Sequence, residues 1–290
     1  MKILLTGSNG NLGRSFLKLA SQNNVEIITL NRSKFINSNY SIGYLEDIDI
    51  DAVIHTAANT NVESCEQNHI QAYTDNALLT ERLALLALIK NAKMVYISST
   101  GVYGNHILDR PYLEYDQTYP TTVHHRSKLS GEKAIKDLTS NYLILRTGWL
   151  FGGSPDSDKN FVAQRIREAK NNPSSTINAN IDQVGNPTFV DDVAHTTLKI
   201  LGKDAVGIFN LVNSGVATRY DYIKQIYTEV SVNKYLVPRK AEYFSRKAPV
   251  SLNESASNLK LSKIYGCDLP MWKSSLKTYI SHNSKSLLSI

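Results

Sequence analysis

Through the first half of the chain, short apolar runs alternate with stretches whose apolar residues recur every three or four positions. Runs at Lys2–Thr6, 25–30, 52–56, 94–98 and 142–146 have strand length and little internal alternation, as in ILL, VIH and LIL. Strands buried on both faces read this way, because neither face of a parallel sheet meets water. Between them, 12–20, 77–91 and 128–137 carry helical spacing. This alternation predicts a doubly wound parallel sheet with helices on both sides.

The alternation breaks near Phe151, where 152–159 is rich in Gly, Ser, Asp and Pro and reads as a loop. Beyond it the spacing predicts helices at 161–170 and 192–201, a strand at 207–212 and a final helical region. The architecture implied is α/β. A Rossmann domain at 1–150, with a return segment at about 189–215, precedes a smaller C-terminal α+β substrate domain made of 151–188 and 216–290.

Where the first strand meets the first helix the chain reads Thr6-Gly7-Ser8-Asn9-Gly10-Asn11-Leu12-Gly13. In such a loop one glycine permits the tight turn, the next lets backbone approach a pyrophosphate, and the third lets helix and sheet pack closely. The helix N-terminus then offers unpaired N–H groups and a positive dipole end to phosphate. Gly7, Asn9, Gly10, Asn11, Leu12 and Gly13 are therefore expected to hold a dinucleotide. After the second strand come Asn31, Arg32 and Ser33. An acidic residue there would favour NAD, whereas an arginine suits a 2′-phosphate. NADPH is the expected cofactor, with NADH as the alternative.

Composition narrows the classes. The chain has 290 residues, 42% hydrophobic and 20% charged, which is ordinary for a globular protein. No apolar run has the length of a bilayer span, and the first residues read as a strand rather than a signal peptide. Cys65 and Cys267 form neither a disulfide framework nor a metal motif, so a cytoplasmic setting is expected. The net charge of +6 is dispersed, without the dense basic stripe of a nucleic-acid binder, and suits an anionic small ligand. His69, His106 and His195 show no metal-ligand spacing, and no metal is expected.

Further motifs resemble the extended short-chain dehydrogenase/reductase superfamily: Ile54-His55-Thr56-Ala57-Ala58, Asn76, Ile97-Ser98-Ser99-Thr100-Gly101-Val102-Tyr103-Gly104, and Leu145-Arg146-Thr147-Gly148-Trp149-Leu150-Phe151-Gly152. The second half narrows the resemblance to dTDP-4-dehydrorhamnose reductases. It does so through Asn160-Phe161-Val162, Asp182-Gln183-Val184-Gly185-Asn186-Pro187-Thr188, 207–215 and the ending Ser257-Asn258-Leu259-Lys260-Leu261 with Pro270-Met271-Trp272. The resemblance implies hydride transfer from a reduced nicotinamide to the 4-keto carbon of a nucleotide-linked 6-deoxysugar. It implies Ser99 as the hydroxyl that polarises the carbonyl and Lys128 as the holder of the nicotinamide ribose. Ala57, Ala58, Thr60 and Asn76 join the cofactor set, and Val62, Thr100, Trp149 and Asn160 form the substrate set. The implied partner is a nucleotide sugar, not nucleic acid or membrane, and the family allows a homodimer.

One departure matters. The superfamily places Tyr four residues before Lys on one helical face, so that the phenol protonates the nascent alkoxide. Here that residue is His124, followed by His125, while Tyr119 is out of register. Either His124 supplies the proton, or reductase chemistry is impaired and the chain is a nucleotide-binding regulatory relative. A nucleotide-sugar epimerase or another enzyme of the superfamily is the remaining alternative. A second departure is Ser15, where some reductases carry a carboxylate for a metal at a dimer contact. Among lesser candidates, His55 reads as a satisfied core histidine and Asp191-Asp192 as helix-capping carboxylates. Glu114 and Asp116 read as solvated loop residues, and Arg219, Tyr220 and Tyr222 as a surface helix that also resembles a family segment.

Overall fold

The computed structural model describes every residue except 31–34, 36–40, 46, 108, 173 and 290. The first five strands are β1 (Lys2–Thr6), β2 (Glu26–Thr29), β3 (Ala52–His55), β4 (Lys93–Ser99) and β5 (Tyr142–Thr147). Short strands follow: β6 (Trp149–Phe151), β7 (Thr176–Asn180), β8 (Val184–Gly185) and β9 (Pro187–Phe189). Strand β10 (Gly207–Asn210) returns to the main sheet, and β11 (Ala217–Thr218) and β12 (Tyr235–Arg239) complete the set. The main sheet runs β10-β5-β4-β3-β1-β2, every neighbour pairing parallel.

Burial explains the unbroken apolar runs. Ile3, Leu5, Ile54, Val95, Ile97, Leu143 and Leu145 face one side of the sheet, packed with Phe16 of α1 (Asn11–Gln22). Leu4, Val53, Met94, Tyr96 and Ile144 face the other. Consecutive residues of one strand thus serve opposite cores, as the two-residue repeat of a strand requires. The second face is covered by helices that come after two short ones. These are α2 (Val62–Gln67) and α3 (His69–Tyr73), which lead through a π-turn at Thr74–Leu78 into α4 (Leu79–Ile89). Helix α5 (Val123–Leu138) packs beside α4. It starts five residues before the expected 128–137, because the Thr122 hydroxyl accepts the N–H of His125 and caps it. His124 therefore lies one helical turn from Lys128, on the same face.

The later part of the chain extends the first core instead of forming a separate one. Helices α6 (Phe161–Asn171), α7 (Val190–Leu201) and α8 (Arg219–Glu229) are followed by α9 (Leu259–Tyr265), α10 (Trp272–His282) and α11 (Ser284–Ser289). Ile166, Val193, Tyr222, Ile226, Trp272 and Leu276 belong to the same cluster as Ile3 and Leu5. Outside the predicted alternation, β7 pairs in parallel with β12 and β6 with β9. TINAN buries its second, fourth and fifth residues among polar ones, so its apolar signal is weak. Among the described residues, no helix is long and apolar enough to cross a membrane.

Candidate active site

A cleft of about 930 Å³ opens where the main strands end. Ligands in open parallel sheets bind at this edge, and the volume suits a cofactor and substrate together. One end is lined by Gly7, Asn9, Gly10, Asn11, Leu12 and Gly13, with Thr29 and Leu30 beside them. The middle holds Ala57, Ala58, Thr60, Val62, Ser99, Thr100, His124, His125 and Lys128. Trp149, Gln183, Arg219, Arg246 and Glu254 close the far end.

The glycine loop fits a dinucleotide on its own geometry. Gly7 has φ of +70°, and a Cβ there would lie 2.6 Å from the Thr56 hydroxyl and 2.7 Å from the Ala57 nitrogen. A Cβ on Gly13 would collide with the Gly7 carbonyl, so helix and loop can meet only at glycine. Gly10 caps α1 without a side chain, and the helix carries no acidic residue in its first turn. Its N–H groups and dipole therefore face the cleft uncompensated, as an anionic diphosphate requires. Asn31, Arg32 and Ser33 lie outside the described residues, directly after the cleft-lining Leu30.

At the floor of the cleft, β4 sends its last two serines in different directions. Ser98 donates to Glu132 Oε1 at 2.5 Å, and Glu132 forms a buried pair with Arg146, whose Nη2 lies 2.7 Å from Oε2. Ser99 instead lines the cleft, its oxygen accepting the Gly101 N–H at 3.2 Å. A serine oxygen used as an acceptor keeps its own proton free to donate. Lys128 Nζ donates to the Ile97 carbonyl at 2.6 Å and sits 4.0 Å from the centre of the Tyr96 ring. Burial lowers its ammonium to about 7, against the opposing pull of Glu132.

His124 is placed where the pattern requires, but in a state that changes its chemistry. Its Nδ1 lies 2.8 Å from the carbonyl of Asn59, which can only accept. Nδ1 therefore carries the proton, and a neutral ring presents a lone pair at Nε2. Burial, with His125 and Lys128 nearby, pushes its pKa down to about 3. At neutral pH the ring has no acidic proton at Nε2, so the expected role of proton donor meets a physical obstacle. Tyr119 cannot take that role, since its ring is 56% exposed, its hydroxyl is bonded to Gln117, and it does not line the cleft.

Two expected ligand residues are held elsewhere. Asn76 is fully buried and does not line the cleft: its oxygen accepts from Asn59 N at 2.8 Å, and its amide donates to Ser127 Oγ at 2.9 Å and to the Asn59 carbonyl. It sits in the π-turn and fixes the segment that in turn fixes His124. Asn160 caps α6, accepting from Ala163 N, and donates to the Tyr279 hydroxyl and to the carbonyl of Ser154. No atom of it is exposed, and its place in the substrate set is corrected to an internal brace.

Other readings change as well. Glu114 accepts the backbone N–H of Asn210, and Asp116 takes both Nη atoms of Arg110, so neither carboxylate is merely solvated. Asp191 and Asp192 lie in the first turn of α7 without capping it. They accept from Ser15 Oγ and from Asn213 and Ser275, tying α7 to α1 and α10. His55 is a core histidine, bonded to Thr6 and Thr80 and stacked on Tyr96. Arg219 is not a plain surface residue. Its guanidinium lies 3.4 Å from the Trp149 ring centre, and the same indole donates to Glu254 at 2.7 Å. Glu254 and Arg246 carried no local motif, and only the fold brings them to the cleft. Among the described residues, no cluster of His, Cys, Asp and Glu could hold a metal ion.

Comparison with known proteins agrees with this geometry. The family model described as RmlD substrate binding domain matches residues 1–285. A Clostridium acetobutylicum structure described as a dTDP-4-dehydrorhamnose reductase superposes with a TM-score of 0.92 and 32% identity, covering 98% of this chain and 100% of that one. A Bacillus anthracis dTDP-4-dehydrorhamnose reductase in complex with NADP gives 0.89 and 25%, covering 97% and 99%. The Bacillus subtilis spore coat polysaccharide biosynthesis protein SpsK is 28% identical over 98% of this chain and 99% of its own. With a family match over nearly its whole length, the chain belongs to the RmlD substrate binding domain family.

Proposed function

We propose that this protein is an NADP(H)-dependent reductase of a nucleotide-linked 4-keto-6-deoxysugar, with dTDP-4-dehydrorhamnose as the first substrate to test. The observation that carries the reading is the placement of Ser99 and Lys128 in one cleft with the uncapped glycine loop. The reductase names of the relatives and the NADP in one of them support the choice of cofactor and sugar. The glycine loop, Ala57, Ala58 and Thr60 would hold the cofactor, which supplies a hydride to the carbonyl carbon. Val62, Thr100 and Trp149 remain the expected sugar contacts.

Reduction also requires one proton at the carbonyl oxygen. Ser99 donates its free hydroxyl proton in a hydrogen bond to that oxygen and polarises it. The buried Lys128 ammonium, its pKa lowered by burial to about 7, is the reserve from which the oxygen is protonated. His124, whose Nε2 is an acceptor, holds a ligand hydroxyl instead of giving up a proton. The test is NADPH consumption with dTDP-4-dehydrorhamnose and a panel of other nucleotide 4-ketosugars. Tight NADPH binding with no turnover on any of them would sink the reductase reading and leave a nucleotide-binding protein.

A further inference from the structure

His125 was not assigned a role by its pattern, yet its ring is buried in the wall of the cleft. It is 5% exposed and lines the cavity beside Ser99 and Thr100. Its ring occupies the space over Gly101, where any Cβ would fall inside the imidazole. Gly101 is therefore the vacancy that lets this ring into the cleft.

The ring's protonation follows from its single side-chain partner. Thr122 is fully buried, and its oxygen accepts the backbone N–H of His125 at 3.2 Å. The same oxygen lies 3.0 Å from His125 Nδ1. A hydroxyl has one proton to give, and among the described residues no other acceptor is within its reach. The Thr122 proton therefore goes to Nδ1, and the neutral ring carries its own proton at Nε2. That N–H has no protein partner among the described residues, although burial holds the ring neutral. The adjacent histidines, 4.9 Å apart between centroids, thus present opposite faces: His124 a lone pair, His125 a donor.

We propose that His125 Nε2–H is a specificity-determining hydrogen-bond donor for an oxygen of the sugar, admitted by Gly101 and oriented by Thr122. The proposal rests on the reductase reading for the identity of the ligand, but its geometry stands apart from the proton-transfer step. No bond is made or broken by His125.

Steady-state kinetics with NADPH and the nucleotide ketosugar test it. His125→Phe keeps a ring and removes the donor, and KM for the sugar should rise about tenfold. The NADPH dissociation constant should stay within about twofold, because the proposed donor serves the sugar and not the cofactor. Gly101→Ala displaces the same ring and should raise KM similarly. Combined with His125→Ala it should add little, because both changes act on one group. Unchanged KM in both single variants, additive effects, or an equal loss of NADPH affinity would each overturn the proposal. If the wild-type protein turns over no ketosugar, the reductase reading fails instead. Calorimetric titration of the same variants with the nucleotide sugar then decides the role of His125.

Discussion

At the loop end of the cleft the ligand-facing surface is backbone; at the histidine end it is side chain. Gly7, Gly10 and Gly13 act by lacking a Cβ, and each requirement is visible as a collision, a positive φ or an uncapped helix start. On the proposed reading Ser99, His124, His125 and Lys128 act through protons, and their polar partners are Gly101, Asn59, Thr122 and Ile97. Three of these four partners touch the functional side chains through backbone atoms. A backbone site is specified by residue type at fixed spacing, whereas a protonic site is specified by its neighbours. The first tolerates no added atom; the second can keep its shape and change its chemistry.

The sharpest way to separate the two ends is Lys128→Met. If Lys128 is the proton reserve, kcat should fall about a thousandfold, while His124→Ala loses only about tenfold. The wild-type rate should also fall as pH rises through about 7, because the acid must be protonated to act. A rate limb that follows His124 instead, or equal losses in the two variants, would return the proton to the imidazole. At the other end, Gly13→Ala should weaken NADPH by about a hundredfold, with its clash falling on backbone that cannot rotate away. Calorimetry showing intact affinity would mean that this end is not closed by backbone contact.

A smaller effect should appear in stability. His124 and His125 are held near pKa values of 3 and 4, against about 6.5 in the unfolded chain. Between these values the unfolded state binds more protons, so their contribution is present above about pH 6.5 and is lost as pH falls. Each ring should cost about 1.4 kcal/mol per pH unit over that window. The double variant His124→Phe/His125→Phe should flatten the acid slope of Tm; an unchanged slope would place the sensitivity in other groups. The smallest expected change is at the far end of the cleft. Removing the guanidinium stacked on Trp149, in Arg219→Ala, should raise the sugar-nucleotide KM about fivefold, in line with a partly desolvated cation–π contact. A kcat loss without a KM change would deny it a binding role.

Much of the sheet was legible because buried parallel strands are apolar on both faces, as β1, β3, β4 and β5 are. Strands β7 and β12 were not, since TINAN and YLVPR mix polar residues into half-buried positions. Ser99 and Lys128 could be located through the family motifs that surround them. Asn76 and Asn160 were given ligands they do not face, since their amides are consumed by Asn59, Ser127 and Tyr279. Arg219 and Glu254 meet at Trp149 from segments separated by 70 and 105 positions, a distance no local pattern spans.

The sequence by itself determined the parallel sheet, the glycine loop and the register of His124 with Lys128. Each of these depends on residue type and on repeats of two or of three to four along the chain. Only the tertiary structure decided which imidazole nitrogen bears a proton, which asparagines serve as braces and which residues close the far end. Those outcomes depend on carbonyls and hydroxyls delivered from distant segments, and burial makes their hydrogen bonds decisive.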